Sequence, residues 1–162
     1  MLKNNRILVV EDNPEVAEII QWNLTGAGYA VSHVADGLTA LRVFDEVQPA
    51  LVTIDLGLPE VSGFRLVKIF KHYAPEVPVL VVTACSFEEA EETARAGADD
   101  FVMKPFDPAD LVAKVDYHVH RQQSPRFVIP TTLPPPTSSH ARAGFTSALA
   151  LHLASVSPAP AG

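Results

Sequence analysis

The stretch LVTID, residues 51–55, is an apolar, β-branched run that ends on one carboxylate, Asp55. An uninterrupted apolar run of this length is typical of a strand covered on both faces, as in a parallel sheet. In open parallel sheets, chemistry takes place just beyond the carboxyl ends of the strands. The stretch therefore predicts a central buried strand that presents Asp55 at a reactive edge.

Four further apolar runs predict additional strands of the same sheet, at residues 7–10, 30–34, 78–83 and 101–103. Between them, apolar residues recur at helical spacing, and residues such as Asn13 are suited to cap the helices. Five strands that alternate with five helices predict an α/β fold with a doubly wound parallel sheet. The carboxyl ends of the strands would then meet along one edge.

The helical spacing also predicts which side chains are buried. The inward-facing residues are expected to be Val16, Ile20, Leu24 and Ala27 on the first helix, Leu38, Leu41 and Phe44 on the second, Phe64, Val67 and Phe70 on the third, and Leu111, Val112, Val115 and Val119 on the last. The fourth helix, at residues 86–96, is acidic and has little apolar bulk, so its glutamates are expected to face solvent. Trp22 falls opposite Ile20 and Leu24 and is expected to be exposed.

Composition narrows the functional classes. The 162 residues are 48% hydrophobic and carry a formal net charge of −7, which argues against non-specific binding to nucleic acid or an anionic membrane. Cys85 is the single cysteine, so an intrachain disulfide is excluded. No apolar run approaches the ~20 residues of a membrane span, and the first residues do not resemble a signal peptide. A cytoplasmic protein is the default expectation.

The last part of the chain, residues 122–162, has a different composition from residues 1–121, which are predicted to form the folded domain. It lacks Asp and Glu and is rich in Pro, Ala, Ser and Thr, so it is predicted to be mostly disordered. One helical stripe interrupts this pattern, formed by Phe145, Leu149, Leu153 and Val156. It is either unstructured in the free protein or a docking helix that orders on a partner.

The predicted strand ends carry chemically related side chains. Glu11 and Asp12, Asp55, Thr83 and Lys104 all follow or end a strand. Crowded carboxylates repel one another unless a cation neutralises them, and Mg²⁺ takes carboxylate and phosphate oxygens. A lysine and a hydroxyl suit the oxygens of a transferring phosphoryl group. The set predicts a Mg²⁺-dependent phosphoryl-transfer site with Asp55 as the nucleophile that forms an acyl phosphate.

Each of these residues alone also has a simpler structural explanation. The acidic pair could cap the next helix, Thr83 could be an ordinary strand residue, and the lysine with Pro105 could form a turn before the last helix. Phe101 could simply pack in the core. Their joint occurrence at separate strand ends favours the functional interpretation.

Taken in order, these motifs resemble the receiver domain of bacterial two-component response regulators, over about residues 5–121. The resemblance is carried by Glu11-Asp12, Asp55 with Pro59 and Gly63 after it, Thr83-Ala84, Gly97-Ala98-Asp99-Asp100-Phe101, and Lys104-Pro105-Phe106. It implies phosphoryl transfer onto Asp55 from a phosphohistidine of a sensor histidine kinase or phosphotransfer protein. Mg²⁺ would be held by Glu11, Asp12, Asp55 and the backbone carbonyl of Gly57.

The resemblance also implies a switch and a partner surface. Thr83 and Phe101 would be the switch residues, the Lys104–Pro105 bond would be cis, and the last two helices would change their surface for a downstream protein target or a dimer. Kinase docking is hypothesised at Val16, Ile19, Trp22 and Phe106, with incidental surface packing of the tryptophan as the alternative. The stretch between Thr83 and Gly97 is about one residue shorter than the family pattern, which puts the shape of the fourth helix in question.

Three roles remain open at this point. The leading one is a stand-alone phosphorylation switch that catalyses only its own modification, without direct nucleic acid binding, because nothing after Arg121 is typical of a helix-turn-helix. The second is the receiver of a transcription regulator that has lost its DNA-binding output domain. The third is a Mg²⁺-dependent aspartyl-phosphate phosphatase, which Gly57 disfavours because such enzymes usually carry a second aspartate at that position.

Overall fold

The computed structural model describes residues 4–84 and 86–123. Within them, five strands alternate with five helices, as follows: β1 Arg6–Val10, α1 Pro14–Gly26, β2 Ala30–Val34, α2 Gly37–Val47, β3 Leu51–Ile54, α3 Gly63–Tyr73, β4 Val79–Thr83, α4 Phe87–Arg95, β5 Asp100–Met103 and α5 Pro108–Gln123. The predicted order of elements is confirmed, and the predicted ends differ from the observed ones by a residue or two.

The strands form one sheet in the order β2-β1-β3-β4-β5, and every neighbouring pair is parallel. β3 lies at the centre of the sheet, and its four residues are buried, as are the five of β4. This confirms the doubly wound parallel sheet that the apolar run at residues 51–55 predicted. Because all the strands run the same way, the residues that follow β1, β3 and β5 lie along the same edge.

Helices α1, α2, α3 and α5 bury one stripe each, with one correction to the predicted set. On α1, Ile20 and Leu24 are buried as predicted, but Ala27 is exposed and Ala17 is buried instead. Helix α1 ends at Gly26, so Ala27 is a capping residue that has already left the helical stripe. Four more of the predicted inward residues are only half-buried, at the margins of their stripes: Val16, Leu38, Phe64 and Val112.

Two predicted surface features are confirmed. Trp22 is 80% exposed. Helix α4 buries Thr93 alone among its residues, and its four glutamates, Glu88, Glu89, Glu91 and Glu92, face solvent. A capping box between Ser86 and Glu89 starts this helix, which supports it locally in place of apolar burial.

The predicted disorder of the last segment and its predicted docking stripe concern a part of the chain outside the described residues, and Cys85 lies outside them as well. Helix α5 continues to Gln123, two residues past the predicted end of the domain at residue 121. The domain boundary itself stays a prediction. Among residues 4–84 and 86–123, no helix combines the length and apolar content that crossing a bilayer requires.

An ion-pair cluster fastens helix α5 to the edge strand β5. Asp100 accepts hydrogen bonds from Lys114 Nζ at 2.8 Å and from the backbone N–H of Phe101 at 2.7 Å, and its Oδ2 lies 3.1 Å from His118 Nε2. His118 is buried, so Asp100 satisfies its ring nitrogen. On the neighbouring face of α5, the Tyr29 hydroxyl donates to Asp116. The contacts of Asp100 with Lys114 and His118 hold the last helix on β5, and the contact between Tyr29 and Asp116 joins residues 87 positions apart.

This cluster makes the free energy of unfolding of the domain depend on pH in the acid range. Burial raises the pKa of Asp100, but the hydrogen bonds from Lys114, Phe101 and His118 outweigh it, so the folded pKa lies below the ordinary value of 3.8. A lowered folded pKa contributes stability above the unfolded pKa, and this contribution is lost as pH falls through the folded pKa. We expect the difference in unfolding free energy between the wild type and Asp100→Asn to shrink as pH falls below about 4.

Urea unfolding at several pH values between neutral and acid measures this difference. Asp45→Asn is the matched control, because Asp45 is an exposed aspartate on α2. A wild-type advantage over Asp100→Asn that stayed constant through the acid range would contradict the assignment.

Candidate functional site

The parallel ladder continues one residue past the strands and so aligns the site residues. The Asp55 N–H donates to the Val10 carbonyl at 3.0 Å, just beyond β3, and the Lys104 N–H donates to the Thr83 carbonyl at 2.9 Å, just beyond β5. These bonds fix where each side chain leaves the sheet. Four strands that are separated along the chain therefore deliver their terminal side chains to one place.

Three carboxylates meet at this edge. Oxygens of Glu11, Asp12 and Asp55 all lie within 4.8 Å of one another. Glu11 is 1% exposed and Asp55 is 9% exposed, whereas Asp12 faces solvent. Carboxylate oxygens are the ligands that Mg²⁺ prefers, and a site with one exposed ligand leaves room for water or phosphate oxygens. The donor set therefore fits a hard divalent cation.

Lys104 contacts two of the three carboxylates. Its Nζ lies 2.7 Å from Glu11 Oε2 and 3.2 Å from Asp55 Oδ2. The other oxygen of Asp55, Oδ1, accepts from the Gly57 N–H at 3.3 Å. The nucleophile proposed from the sequence thus has a fixed positive charge on one side and a backbone donor on the other. Asp55 itself is largely buried, with 9% of its surface exposed.

The burial of Glu11 has an electrostatic cost. Burial raises the pKa of Glu11 above its ordinary value of 4.5; the hydrogen bond and the charge of Lys104 oppose this increase, and the charge of Asp55 adds to it. The net effect is a carboxyl group that holds its proton more tightly than a free glutamate does. A metal ligand has to be deprotonated, so a bound divalent cation would offset this cost.

The two residues predicted to form a switch lie on one face of the sheet. Thr83 ends β4 and is buried, and Phe101 lies on β5 and is half-buried. The register pairs Val81 with Phe101 and Thr83 with Met103. Since side chains alternate along a strand, Thr83 and Phe101 share a face. The Lys104–Pro105 peptide bond that follows is cis.

The four residues predicted for docking do not form one uniform surface. Trp22 and Ile19 are exposed, at 80% and 46%. Val16 and Phe106 are half-buried and pack against the core cluster between the sheet and helices α1 and α5. Only the first two therefore present large apolar surface to solvent on α1.

Sequence reasoning missed one contact at the site. His33, on β2, places its Nε2 2.8 Å from the backbone carbonyl of Glu11. The sequence offered one indication of this contact, because His33 is the second-to-last residue of the strand predicted at residues 30–34. Pairing of that strand with β1, in a register that sets His33 against Val9, is what brings the ring to the acidic loop.

Comparison with known proteins bears on this arrangement. A family profile described as the response regulator receiver domain matches residues 7–116. The DNA-binding response regulator MtrA of Mycolicibacterium smegmatis is 37% identical over 119 residues, covering 73% of this chain and 52% of MtrA. The DNA-binding dual master transcriptional regulator RpaA of Synechocystis is 34% identical over 113 residues, covering 68% of this chain and 47% of RpaA.

A solved structure gives the same result for the fold. The CheY-like response regulator receiver domain protein from Methanospirillum hungatei superposes with a TM-score of 0.70 at 28% identity, covering 74% of this chain and 96% of that one. The chain spans about half the length of the curated relatives it matches. The profile covers most of the described residues and includes each strand end of the site. The chain therefore belongs to the response regulator receiver domain family.

Proposed function

We propose that this chain is a phosphorylation-dependent signalling switch that accepts a phosphoryl group on Asp55. The observation that carries the proposal is the arrangement around Asp55. The carboxylate lies 3.2 Å from Lys104 Nζ and within 4.8 Å of the oxygens of two further acids, at the solvent edge of the sheet. A receiver site needs these components, a nucleophile, a fixed cation and a metal cradle.

The donor in this proposal is a phosphohistidine of a sensor histidine kinase or phosphotransfer protein. An Asp55 oxygen forms a bond to phosphorus while the phosphorus–nitrogen bond breaks, and the imidazole that leaves takes up a proton. Lys104 balances the negative charge that gathers on the phosphoryl oxygens, and the Thr83 hydroxyl donates to one of them. Glu11, Asp12 and Asp55, with the Gly57 carbonyl, would hold Mg²⁺, which supplies charge neutralisation when bound.

The proposed output is a change at the end of the sheet that carries α4 and α5. Movement of Thr83 toward the phosphoryl group would leave space on the face that it shares with Phe101. That aromatic ring is half-buried, and in this proposal it turns inward into the space that Thr83 leaves. A downstream protein, or a second copy of the chain, would read the altered surface, and the exposed Ile19 and Trp22 are proposed for kinase docking. We place this switch in the cytoplasm, where such kinases present their phosphohistidine.

We further propose that the chain turns over no external substrate. Gly57 occupies the position where an aspartyl phosphatase would carry its acid or base, two residues after the nucleophile. A turnover assay with a small phosphate ester tests this, and sustained release of phosphate would contradict it.

A second candidate is the receiver portion of a transcription regulator. The names of the relatives favour it, since MtrA and RpaA are both described as DNA-binding and are about twice the matched length. Sequencing of the gene beyond the codon for Gly162 separates the two candidates. A reading frame that continues into a DNA-binding domain would favour the transcription regulator, and a stop codon there would favour the stand-alone switch.

Intact-mass measurement with acetyl phosphate tests the proposed function directly. We expect one added phosphoryl group in the presence of Mg²⁺ and none after chelation, because the three carboxylates repel the incoming phosphate unless a cation neutralises them. Addition of Ca²⁺ to the chelated protein is the control. Ca²⁺ restores a positive charge beside the three carboxylates, but it prefers a larger site than Mg²⁺ does. Equal labelling with and without a divalent ion would contradict the metal requirement.

A further inference from the structure

His33 holds the peptide that links the first two acids of the site. Its Nε2 lies 2.8 Å from the Glu11 carbonyl oxygen. A carbonyl oxygen can only accept, so Nε2 carries the proton and donates. The ring is half-buried on the edge strand β2, where the register pairs His33 with Val9, two residues before Glu11. This register places the ring of His33 beside the Glu11 carbonyl.

The Glu11 backbone is therefore restrained at both of its polar groups. Its N–H donates to the Val34 carbonyl at 3.1 Å, and its carbonyl accepts from His33. Its side chain is restrained as well, since Oε1 accepts from the Asn13 N–H at 3.2 Å and Oε2 from Lys104 at 2.7 Å. Of these four hydrogen bonds, the one from His33 to the Glu11 carbonyl is the one that acts on the peptide plane between Glu11 and Asp12.

Asp12 depends on that peptide for its position. Its carboxylate is exposed and has no hydrogen-bonding partner within residues 4–84 and 86–123, so nothing there orients the side chain directly. Of the three acids in the cluster, it is the one whose place is set by the backbone alone. Removing the His33 donor frees the Glu11–Asp12 peptide to rotate, and a rotated peptide carries the carboxylate away from the other two.

We propose that His33 is a positioning residue for the divalent cation site, acting through the Glu11 carbonyl on Asp12. The inference rests on the proposed function, because it takes the three acids as cation ligands. Groups that orient metal ligands from outside the coordination sphere typically change metal affinity by 10–100-fold when they are removed. His33 orients a ligand through one peptide, so we expect a weakening of about tenfold, at the lower end of that range.

Two variants of matched length separate the hydrogen bond from packing. His33→Gln places an amide N–H at about the reach of Nε2, whereas His33→Met fills similar space without a donor. Calorimetric titration of the full chain with Mg²⁺ measures affinity in each, with no phosphodonor present. We expect His33→Met to bind Mg²⁺ about tenfold more weakly and His33→Gln to bind close to the wild type. Urea unfolding in chelator should give cooperative transitions for both.

Asp12→Asn makes the two possible failures distinguishable. If the wild type and Asp12→Asn bind Mg²⁺ equally, or neither binds, the proposed metal site is wrong, and the role of His33 falls with it. If Asp12→Asn weakens binding but His33→Met does not, only the inference about His33 is overturned. Equal weakening in His33→Met and His33→Gln would also overturn it, because it would assign the effect to the ring and not to the donor.

A shorter donor covers the case in which His33→Met does not fold. His33→Asn carries an amide that ends nearer the backbone than Nε2 does, so it cannot reach the same carbonyl. We expect it to bind Mg²⁺ more weakly than His33→Gln. Equal affinity of these two amide variants would contradict the proposed contact.

Discussion

Asp55→Asn is expected to abolish phosphorylation by acetyl phosphate while leaving the fold intact. The amide is nearly the same size as the carboxylate, but its oxygen carries no charge and does not form a stable acyl phosphate. It also removes one ligand of the proposed cation site. Of the two side-chain contacts of Asp55 described above, with Lys104 and Gly57, the one from the Gly57 N–H survives in the variant, because an amide oxygen still accepts it. Intact-mass analysis gives the readout, with urea unfolding as the test of folding.

The fold should tolerate this change to within about 1 kcal/mol, because opposing effects accompany it. Lys104 loses one of its two ion-pair partners and keeps Glu11 at 2.7 Å. At the same time, the repulsion between Asp55 and its acidic neighbours disappears. Asp12→Asn is the matched control, since it lowers the same cluster charge and retains the nucleophile, and it should slow labelling without abolishing it. Labelling that persisted in Asp55→Asn would exclude Asp55 as the acceptor.

Gly63→Ala is expected to destabilise the domain by about 3 kcal/mol, at the upper end for an added methyl group in a packed site. Gly63 is the first residue of α3, and a Cβ at this position would lie 2.0 Å from the Asp55 carbonyl oxygen and 2.5 Å from the Leu56 Cα. Both obstacles are backbone atoms, so no side-chain rotation relieves the overlap. Either the helix or the loop after β3 has to move. The loop carries Asp55, so phosphorylation should fall together with stability.

Gly26→Ala is the matched control for this prediction. Gly26 ends α1, and a Cβ there has nothing within 4 Å. Alanine loses less conformational freedom than glycine on folding, so this variant should be neutral or more stable by up to ~1 kcal/mol. Urea unfolding of both variants in chelator keeps metal binding out of the comparison. Similar effects of the two substitutions would show that the loop accommodates a methyl group at residue 63.

Much of the fold was predictable because its determinants are local. The periodicities of 2 and 3.6 residues are properties of each segment by itself, and so are caps such as Asn13 and Asp36, whose side chains accept from the first turns of α1 and α2. Errors arose where a helix ended. Ala27 fits the stripe of α1 by spacing but lies beyond Gly26, where the helical direction no longer applies.

The site was partly predictable for a related reason. A parallel sheet brings its carboxyl ends together, so the chemical types of Glu11, Asp55 and Lys104 at strand ends were informative before any contact was known. Which oxygen contacts which nitrogen was not available from that argument. Lys104 and Glu11 are 93 residues apart, and their 2.7 Å contact depends on strand order and register together.

The sequence by itself determined the kind of fold and the chemistry of the sheet edge, because apolar periodicity and residue type are properties of each local segment. Three contacts were decided by the tertiary structure alone. They are the hydrogen bond of His33 to the Glu11 carbonyl, the ion pair of Asp100 with Lys114 on α5, and the close approach of residue 63 to the Asp55 carbonyl. Each of these depends on how far one element is shifted against another. A shift of one residue in register reverses which face a strand side chain occupies, and local sequence does not fix that shift.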